Sequence, residues 1–524
     1  VRIPPVSSAS EPNLDQQVLN IANLTIGFGG AAPVLAETNC MLDEGQRLLV
    51  CGEAGSGKST LLGVAAGLIP RLIPVAEFSG QVELDGRPLL SFTKKELFGT
   101  IGFVSQNSED QLWDICVEDV IAFPLENKGV ERNAIRDRLT ELMTEFELQA
   151  LSGRRVLTLS GGERRMVTIA AAIVSSPSIL VLDEPTTGLD PAARVRLSNI
   201  LRKVLGSTPT LLISEQDPLA LCSVIDSIAL LHGGGVSPSM PPETVLRQDA
   251  AWIEAGILPP MRARPARQTV EPGRPLLTVS GLASQLSRSR GNPVLKDVSF
   301  DVRAGEVLAL IGRNGAGKTT LFKSILGLVK TTSGSILLDG TKADDWSVAA
   351  RARKIAYIPQ NMRHILFNMT VLGEVIFAIT ASSASSNDPA VLARATAALE
   401  RYALSDLAEA NPFALSARQQ ALLGLACADA TGALVAIIDE PLLSRDIKGR
   451  QMLELFISSM QSSGRAVMLI SHDLELVDDL ATRLMILDNG TIAFEGVPED
   501  GWESGSFHSL GWQAPYDMTA WSMA

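Results

Sequence analysis

Two phosphate-cradle motifs set the architecture of this chain: GEAGSGKST from Gly52 and GRNGAGKTT from Gly312, whose lysines, Lys58 and Lys318, stand 260 residues apart. Each follows a short apolar run, RLLVC or EVLALI, and opens an apolar helical stretch, LLGVAAGL or LFKSILGL. Glycines at these places let backbone amides curl around phosphates, and the helix N-terminus adds its positive end. Other landmarks keep nearly the same offset: Gln106 with Gln360, Ser160 with Ser416, Asp183 with Asp439. The chain is therefore read as two copies of one α/β unit, and a single small module is excluded.

Composition agrees. At 524 residues, 46% hydrophobic and 20% charged, there is apolar material for large cores and too little charge for a disordered chain. Lys plus Arg number 45 against 58 Asp plus Glu, a formal charge of −13, which disfavours nonspecific attraction to phosphate backbones, so no nucleic acid partner is expected. The five cysteines, Cys40, Cys51, Cys116, Cys222 and Cys427, form no CxxC pair, which argues against a zinc ribbon or disulfide framework and for a reducing compartment. Val1 to Asp15 lacks the apolar stretch of a signal peptide. The longest apolar run, Met166 to Leu182, is split by Ser175, Ser176 and Pro177 into a helix end and a strand, so no segment is expected to cross a membrane.

The expected divisions are an N-terminal tail (1–15), a first unit (16–240), a linker (241–275), a second unit (276–500) and an aromatic tail (501–524). The linker concentrates proline and arginine; Arg262, Arg264, Arg267 and Arg274 read as solvated charge, with lipid headgroups as the other option. The tail carries Trp502, Trp512, Tyr516 and Trp521, which suits a docking segment and at least as well a partly frayed end. Ile135, Leu139, Leu142, Met143 and Phe146 have helical spacing, and Cys51 reads as a small buried strand residue.

Two sets of residues form the phosphate cradles: Gly52, Gly55, Ser56, Gly57, Lys58, Ser59 and Thr60, then Gly312, Asn314, Gly315, Ala316, Gly317, Lys318, Thr319 and Thr320. The lysines suit β- and γ-phosphates, and the hydroxyl of Ser59 or Thr319 suits Mg²⁺. The apolar runs ILVL and VAII each deliver a carboxylate pair, Asp183 with Glu184 and Asp439 with Glu440. In a P-loop enzyme the first of each pair contacts Mg²⁺, often through water, and the second polarises the attacking water. LSGGE, Leu159 to Glu163, precedes the helical run RRMVTIAAAIV, where Ser160 and glycine amides at a helix start make an anion-binding tip.

On these motifs the chain resembles the ABC ATPase family over about Val18 to Pro498. The resemblance implies two α/β nucleotide-binding domains, each with an inserted helical signature subdomain and a small antiparallel β subdomain. It makes Gln106 and Gln360 the Q-loop residues near Mg²⁺, His472 of Ser471-His472-Asp473 the switch histidine, and Ser160, Gly161, Gly162 and Glu163 the signature that clamps a γ-phosphate. Phe28 becomes the aromatic that stacks on adenine, with a plain core residue as the alternative; the second unit offers LSRSRGN there. The stretch QNSEDQLWDICVEDVIAFPLEN from Gln106, through Asp110, Gln111, Leu112 and Val117 to Ala122, is similar to the ATPases of energy-coupling factor (ECF) transporters. That implies a membrane T component and a substrate-binding S component as partners, uptake of a vitamin, metal ion or other small molecule, and a place at the cytoplasmic face of the cell membrane. A soluble tandem ATPase acting on ribosomes or nucleic acid and a nucleotide-binding regulator are the rival readings.

ABC pairs are similar in docking head to tail, each ATP lying between one P-loop and the other unit's signature. The first unit reads SEQD where the second reads SHD, so Gln216 or Glu215 replaces the switch histidine; glutamine donates a hydrogen bond but shuttles no proton. The second signature reads LSARQ, with Ala417 and Arg418 after Ser416 in place of glycines. Both departures fall on the site of Lys58, Glu184 and Gln216, while Lys318, Thr319, Gln360, Asp439, Glu440 and His472 would face the intact LSGGE. The expectation is one hydrolysing site and one that mainly holds nucleotide.

Overall fold

The computed structural model describes residues 17–517 apart from 30–31, 107–111, 205–209, 267–270, 288–292, 382–387, 442 and 444. Asp110, Gln111, Arg267 and Trp521 of the sequence reading lie outside the described residues.

Among the described residues each half holds a six-stranded and a four-stranded sheet, and strand order repeats between halves. In the first half the larger sheet runs Gly235–Val236, Ser227–His232, Arg47–Cys51, Thr210–Glu215, Ile179–Asp183, Ile101–Val104. Its five longer strands are parallel, and Ile179–Asp183 is buried along its whole length, which is why it reads as an unbroken apolar run and not as an alternation. The second half repeats this with Ile355–Ile358, Val435–Asp439, Ala466–Ile470, Val307–Ile311, Arg483–Asp488 and Thr491–Gly496. The smaller antiparallel sheets are built on Gln17–Gly27 and Pro275–Ser284, whose neighbours alternate buried and exposed residues.

Between strands Ile101–Val104 and Ile179–Asp183 a helical unit is inserted, Val117–Asn127, Arg132–Glu145 and Gly161–Ile173, matched between Ile355–Ile358 and Val435–Asp439 by Val371–Thr380, Pro389–Arg401 and Ala417–Thr431. The split foreseen at Met166 to Leu182 is present, with a helix to Ile173 and a strand from Ile179. Among the described residues no helix is long and apolar enough to span a membrane.

Two stretches differ from their sequence reading. Residues 242–257 form helices Pro242–Val245 and Asp249–Glu254, and Val245, Leu246, Trp252, Ala255 and Ile257 join the first half's core; the Trp252 indole donates to the Val245 carbonyl at 2.8 Å. The linker arginines are not merely solvated: Arg262 pairs with Asp479 at 2.5 Å, Arg264 grips Asp478 with two bonds of 2.5 and 2.6 Å, and Arg274 pairs with Asp339. Proline and arginine content conceals both features, because anchoring comes from partners more than 200 residues away in sequence for Arg262 and Arg264. After Gly501, Trp502, Phe507, Leu510 and Trp512 pack on the second sheet, so this segment is docked.

Candidate functional site

Each P-loop is a strand that ends, turns through glycines and restarts as a helix. Gly57 and Gly317 are the left-handed N-caps of helices Lys58–Ala65 and Lys318–Ile325, with φ of 106° and 119°, a conformation that carries a Cβ penalty for other residues. A Cβ on Gly52 would meet the Leu231 carbonyl oxygen at 2.6 Å, and one on Gly312 would meet that of Leu487 at 2.2 Å. Lys58 donates to the carbonyls of Gly52 and Glu53 at 2.8 and 3.1 Å, and Lys318 to Gly312 at 2.5 Å. Both ammonium groups are thus folded over their own loops, and burial lowers Lys318's pKa. The buried Ser56 hydroxyl has no hydrogen-bond partner among the described residues. Helix-capping amides, a buried lysine and a free hydroxyl fit a nucleotide polyphosphate.

The carboxylate pairs emerge beside these loops. Asp183 accepts from Ser214 at 2.5 Å, and burial raises its pKa; a Ser59 hydroxyl bond opposes that rise. Asp439 accepts from Tyr357 at 3.1 Å, and burial raises its pKa as well. Ser59 and Asp183 are therefore adjacent, as a Mg²⁺ site built from hydroxyl, carboxylate and amide oxygens requires. Glu184 and Glu440 both sit at positive φ, 45° and 50°, an uncommon conformation for glutamate.

These two glutamates differ sharply in their surroundings. Glu184 is fully engaged: Gln106 donates to one oxygen at 2.7 Å and Thr187 at 3.2 Å, while Gln216 donates to the other at 3.3 Å with Lys58 3.7 Å away. Glu440 accepts from the His472 backbone at 3.0 Å through one oxygen; its other oxygen is buried, 3.3 Å from His472 Nε2, without a well-formed hydrogen bond among the described residues. Burial pushes the Glu440 carboxyl up to about 7, with Lys318 pulling back part of the rise. His472 is held neutral, well below its ordinary pKa, by burial and then by the charges of Lys318 and Arg194.

Strand register resolves which residue of the first half stands where His472 stands in the second. Asp183 pairs with Ser214 where Asp439 pairs with Ile470, so Gln216 takes the place of His472 and Glu215 that of Ser471. Glu215 instead accepts from the Thr186 amide and hydroxyl at 2.8 and 2.6 Å, and burial pushes it up to about 7.

The halves meet head to tail. Asp190 of the first half accepts from the Asn314 amide of the second P-loop at 3.0 Å, and Asp446 of the second half accepts from the Ala54 amide of the first P-loop at 3.2 Å. A cavity of about 600 Å³ lies between Arg313 and Asn314 on one side and Ser160, Gly162 and Glu163 on the other. A Cβ on Gly162 would press on Leu189 of its own half at 3.3 Å and reach van der Waals contact with Asn314 across the interface at 3.9 Å. Ser160 caps its helix in a reciprocal pair with Glu163, as Ser416 does with Gln419.

At the Lys58 site Arg418 occupies the place of Gly162, and its guanidinium donates to Glu53 of the opposing P-loop at 2.8 Å and to Asp446 at 3.1 Å. The obstruction expected there is therefore an ion pair across the interface. Gln360 does not reach Glu440 by a hydrogen bond; its exposed side chain stands against Gly188 of the other half, and with Gln106 it lines a cavity of about 500 Å³ between the halves. Phe28, just past strand Gln17–Gly27 of the antiparallel sheet, is 49% exposed, which excludes a core role. Cys51 is fully buried, and burial raises its pKa.

The sequence reading missed several residues. Arg165, nearly inaccessible, donates to the carbonyls of Ser105 and Gln106 at 3.1 and 2.6 Å and fixes the first Q-loop. Arg445 bridges the halves, pairing with Asp217 at 3.2 Å, Asp473 at 3.3 Å and Glu475 at 2.9 Å. Asp190 and Asp446 were within reach, since each follows its carboxylate pair at one spacing.

A family model described as ABC transporter matches residues 35–187 and again 295–443. The chain belongs to the ABC transporter family. ABC ATPases hydrolyse ATP, and this chain is a tandem member. Its relatives include a protein of Methanosarcina acetivorans described as an ABC transporter ATP-binding protein, 30% identical over 89% of this chain and 83% of that one. A similarly described protein of Treponema denticola is 28% identical over 91% of this chain and 97% of its own length. Among solved structures, the archaeal ribosome recycling factor aABCE1, crystallised with the stalk protein aP1, shares the tandem fold with a TM-score of 0.61 at 23% identity, over 94% of this chain and 92% of that one.

Proposed function

We propose that this chain powers an ECF-type importer, with Mg²⁺-ATP bound at both sites and hydrolysed mainly at the Lys318 site. The phosphate groups and Mg²⁺ supply the reaction centre when bound; Lys318, Thr319, Asp439 and Gln360 would hold them. Glu440, with an oxygen left open and a raised pKa, is suited to take a proton from water, and His472 to orient the γ-phosphate side. Glu184, saturated by Gln106, Thr187, Gln216 and Lys58, is poorly placed to act as a base.

The observation that carries the membrane-coupled reading is a pair of matched apolar patches on the helical units. Trp113, Phe123 and Leu157 are exposed in the first half, and Phe367, Phe377 and Phe413 hold the equivalent positions in the second. Trp113 and Phe123 stand edge to face at 5.6 Å, Phe367 and Phe377 at 4.5 Å. Each patch is braced, by Arg155 on Asp114 at 2.9 Å and by Glu374 accepting from the Phe367 and Asn368 amides at 2.6 Å. An exposed aromatic cluster just beyond the first Q-loop, and one beyond the second in which Phe377 is half-buried, suit two apolar elements of a membrane subunit. The T and S components are those elements' bearers in this reading, and the protein works at the cytoplasmic face of the cell membrane.

Purification of the tagged chain from native membranes tests this. Small apolar membrane proteins should copurify, and be lost from a Trp113→Ala/Phe367→Ala variant. Recovery on ribosomes in their place would overturn the transport reading, and absence of ATP turnover in the purified complex would favour a regulator.

A further inference from the structure

The segment following the second sheet reaches the Lys318 site. Helices Pro498–Glu503 and Gly505–His508 seat Trp502 and Phe507 against Ala309, Ile311, Leu484 and Ile486. Beyond them the Ser509 carbonyl accepts a hydrogen bond from Arg313 of the P-loop, and Leu510 lines the cavity facing LSGGE. Trp512 then stands edge to face with His472, ring centroids 5.9 Å apart and planes at 81°.

This segment repeats the one that follows the first sheet. WIEAGI from Trp252 aligns with FHSLGW from Phe507, and Gly256 and Gly511 in the two copies are both left-handed, with φ of 75° and 68°. In that alignment Trp512 corresponds to Ile257, just as His472 corresponds to Gln216. The indole and the imidazole occur together in one half and are both replaced in the other.

Two buried polar atoms at this contact lack a hydrogen-bond partner among the described residues: His472 Nδ1 and Trp512 Nε1. His472 Nε2 lies 3.0 Å from Asn314 Oδ1 and 3.3 Å from a Glu440 oxygen, while the Asn314 amide nitrogen is turned to the Gly188 carbonyl at 3.5 Å. Two acceptors around Nε2 place the ring proton there, which leaves Nδ1 as an acceptor. An indole N–H is solely a donor. A buried donor and a buried acceptor in ring contact are each costly alone and compensate each other when they meet.

We propose that Trp512 is a positioning residue of the Lys318 site, its indole N–H capping His472 Nδ1 when the halves close on nucleotide and fixing the tautomer whose Nε2–H points into the site. This deepens the assignment of hydrolysis to that site and rests on it. Arg313 donates to the Ser509 carbonyl and so ties the same segment to the second half's P-loop.

The full chain contains 4 histidines, so ¹⁵N imidazole spectra with Mg²⁺ and a nonhydrolysable ATP analogue are tractable, His472→Gln assigning the resonance. His472 should show one Nε2–H tautomer with a hydrogen-bonded Nδ1. Trp512→Phe, which keeps ring packing and removes the N–H, should remove the hydrogen-bond shift of Nδ1 and weaken the preference for that tautomer; an unchanged His472 signal overturns the proposal. In steady-state assays Trp512→Phe should lower kcat about fivefold, the worth of one lost hydrogen bond, with KM for ATP within about twofold. Added to His472→Gln it should lower kcat no further, whereas multiplied losses overturn the proposal. Glu440→Gln run alongside separates the two claims: turnover surviving that change refutes the site assignment, while the tautomer result still decides the role of Trp512.

Discussion

Replacing Glu440 with Gln and Glu184 with Gln in separate full-length variants should give very different enzymes. Both glutamates follow a buried strand and precede proline, at similar positive φ, and the same chemistry is removed in each case. Their surroundings set the difference. Glu184 receives hydrogen bonds from Gln106, Thr187 and Gln216 and lies 3.7 Å from Lys58, so both oxygens are already committed. Glu440 has one oxygen without a proper donor and stands 3.3 Å from a neutral imidazole. A general base in the transition state is worth about 10²- to 10⁴-fold, or roughly 3 to 5 kcal/mol of barrier. Glu440→Gln should therefore lower phosphate release at saturating Mg²⁺-ATP by at least about a hundredfold. Glu184→Gln should change it by less than about threefold, since an amide preserves most of the neutral contacts around it. Equal losses in the two variants would refute the asymmetry, and a larger loss from Glu184→Gln would reverse it.

Arg445→Leu, copying Leu189 of the other half, leaves Asp217, Asp473 and Glu475 without their shared cation and should destabilise the chain by about 3 to 5 kcal/mol, seen as a fall in the thermal midpoint. Arg418→Ala removes the ion pair to Glu53 and Asp446 and should cost about 1 to 2 kcal/mol in the nucleotide-free chain, because the guanidinium is partly solvated; an unchanged midpoint would show that the pair contributes nothing. Glu215→Gln should stabilise in a pH-dependent way. Burial raises the folded carboxyl to about 7, so its ionisation penalty is absent below the ordinary carboxylate range and grows as pH climbs to that value. The gain in midpoint over the parent should accordingly be larger at pH 8 than at pH 5, and the opposite trend would contradict the burial argument.

Much of the site was legible because phosphate chemistry leaves local marks. Glycines at left-handed positions, a lysine at a helix start and a carboxylate pair at a strand end are short-range patterns, and the repeat offset exposed the departures at Gln216 and Arg418 without coordinates. The role of Arg418 was not legible: added bulk at a glycine position reads as an obstruction until Glu53, 365 residues away, is found beside it. Arg262 and Arg264 read as solvated charge for the same reason, their partners Asp479 and Asp478 being distant in the chain.

The repeat, the α/β class and the inventory of phosphate-binding groups follow from residue order alone, since each depends on neighbours within a few positions. Which oxygen of which glutamate stays open, which half's loop meets which signature, and how Trp512 comes to lie on His472 depend on the docking of one half on the other and of the last segment on the second sheet. Those contacts join residues far apart in sequence, where spacing carries no information and packing of the folded chain settles the outcome.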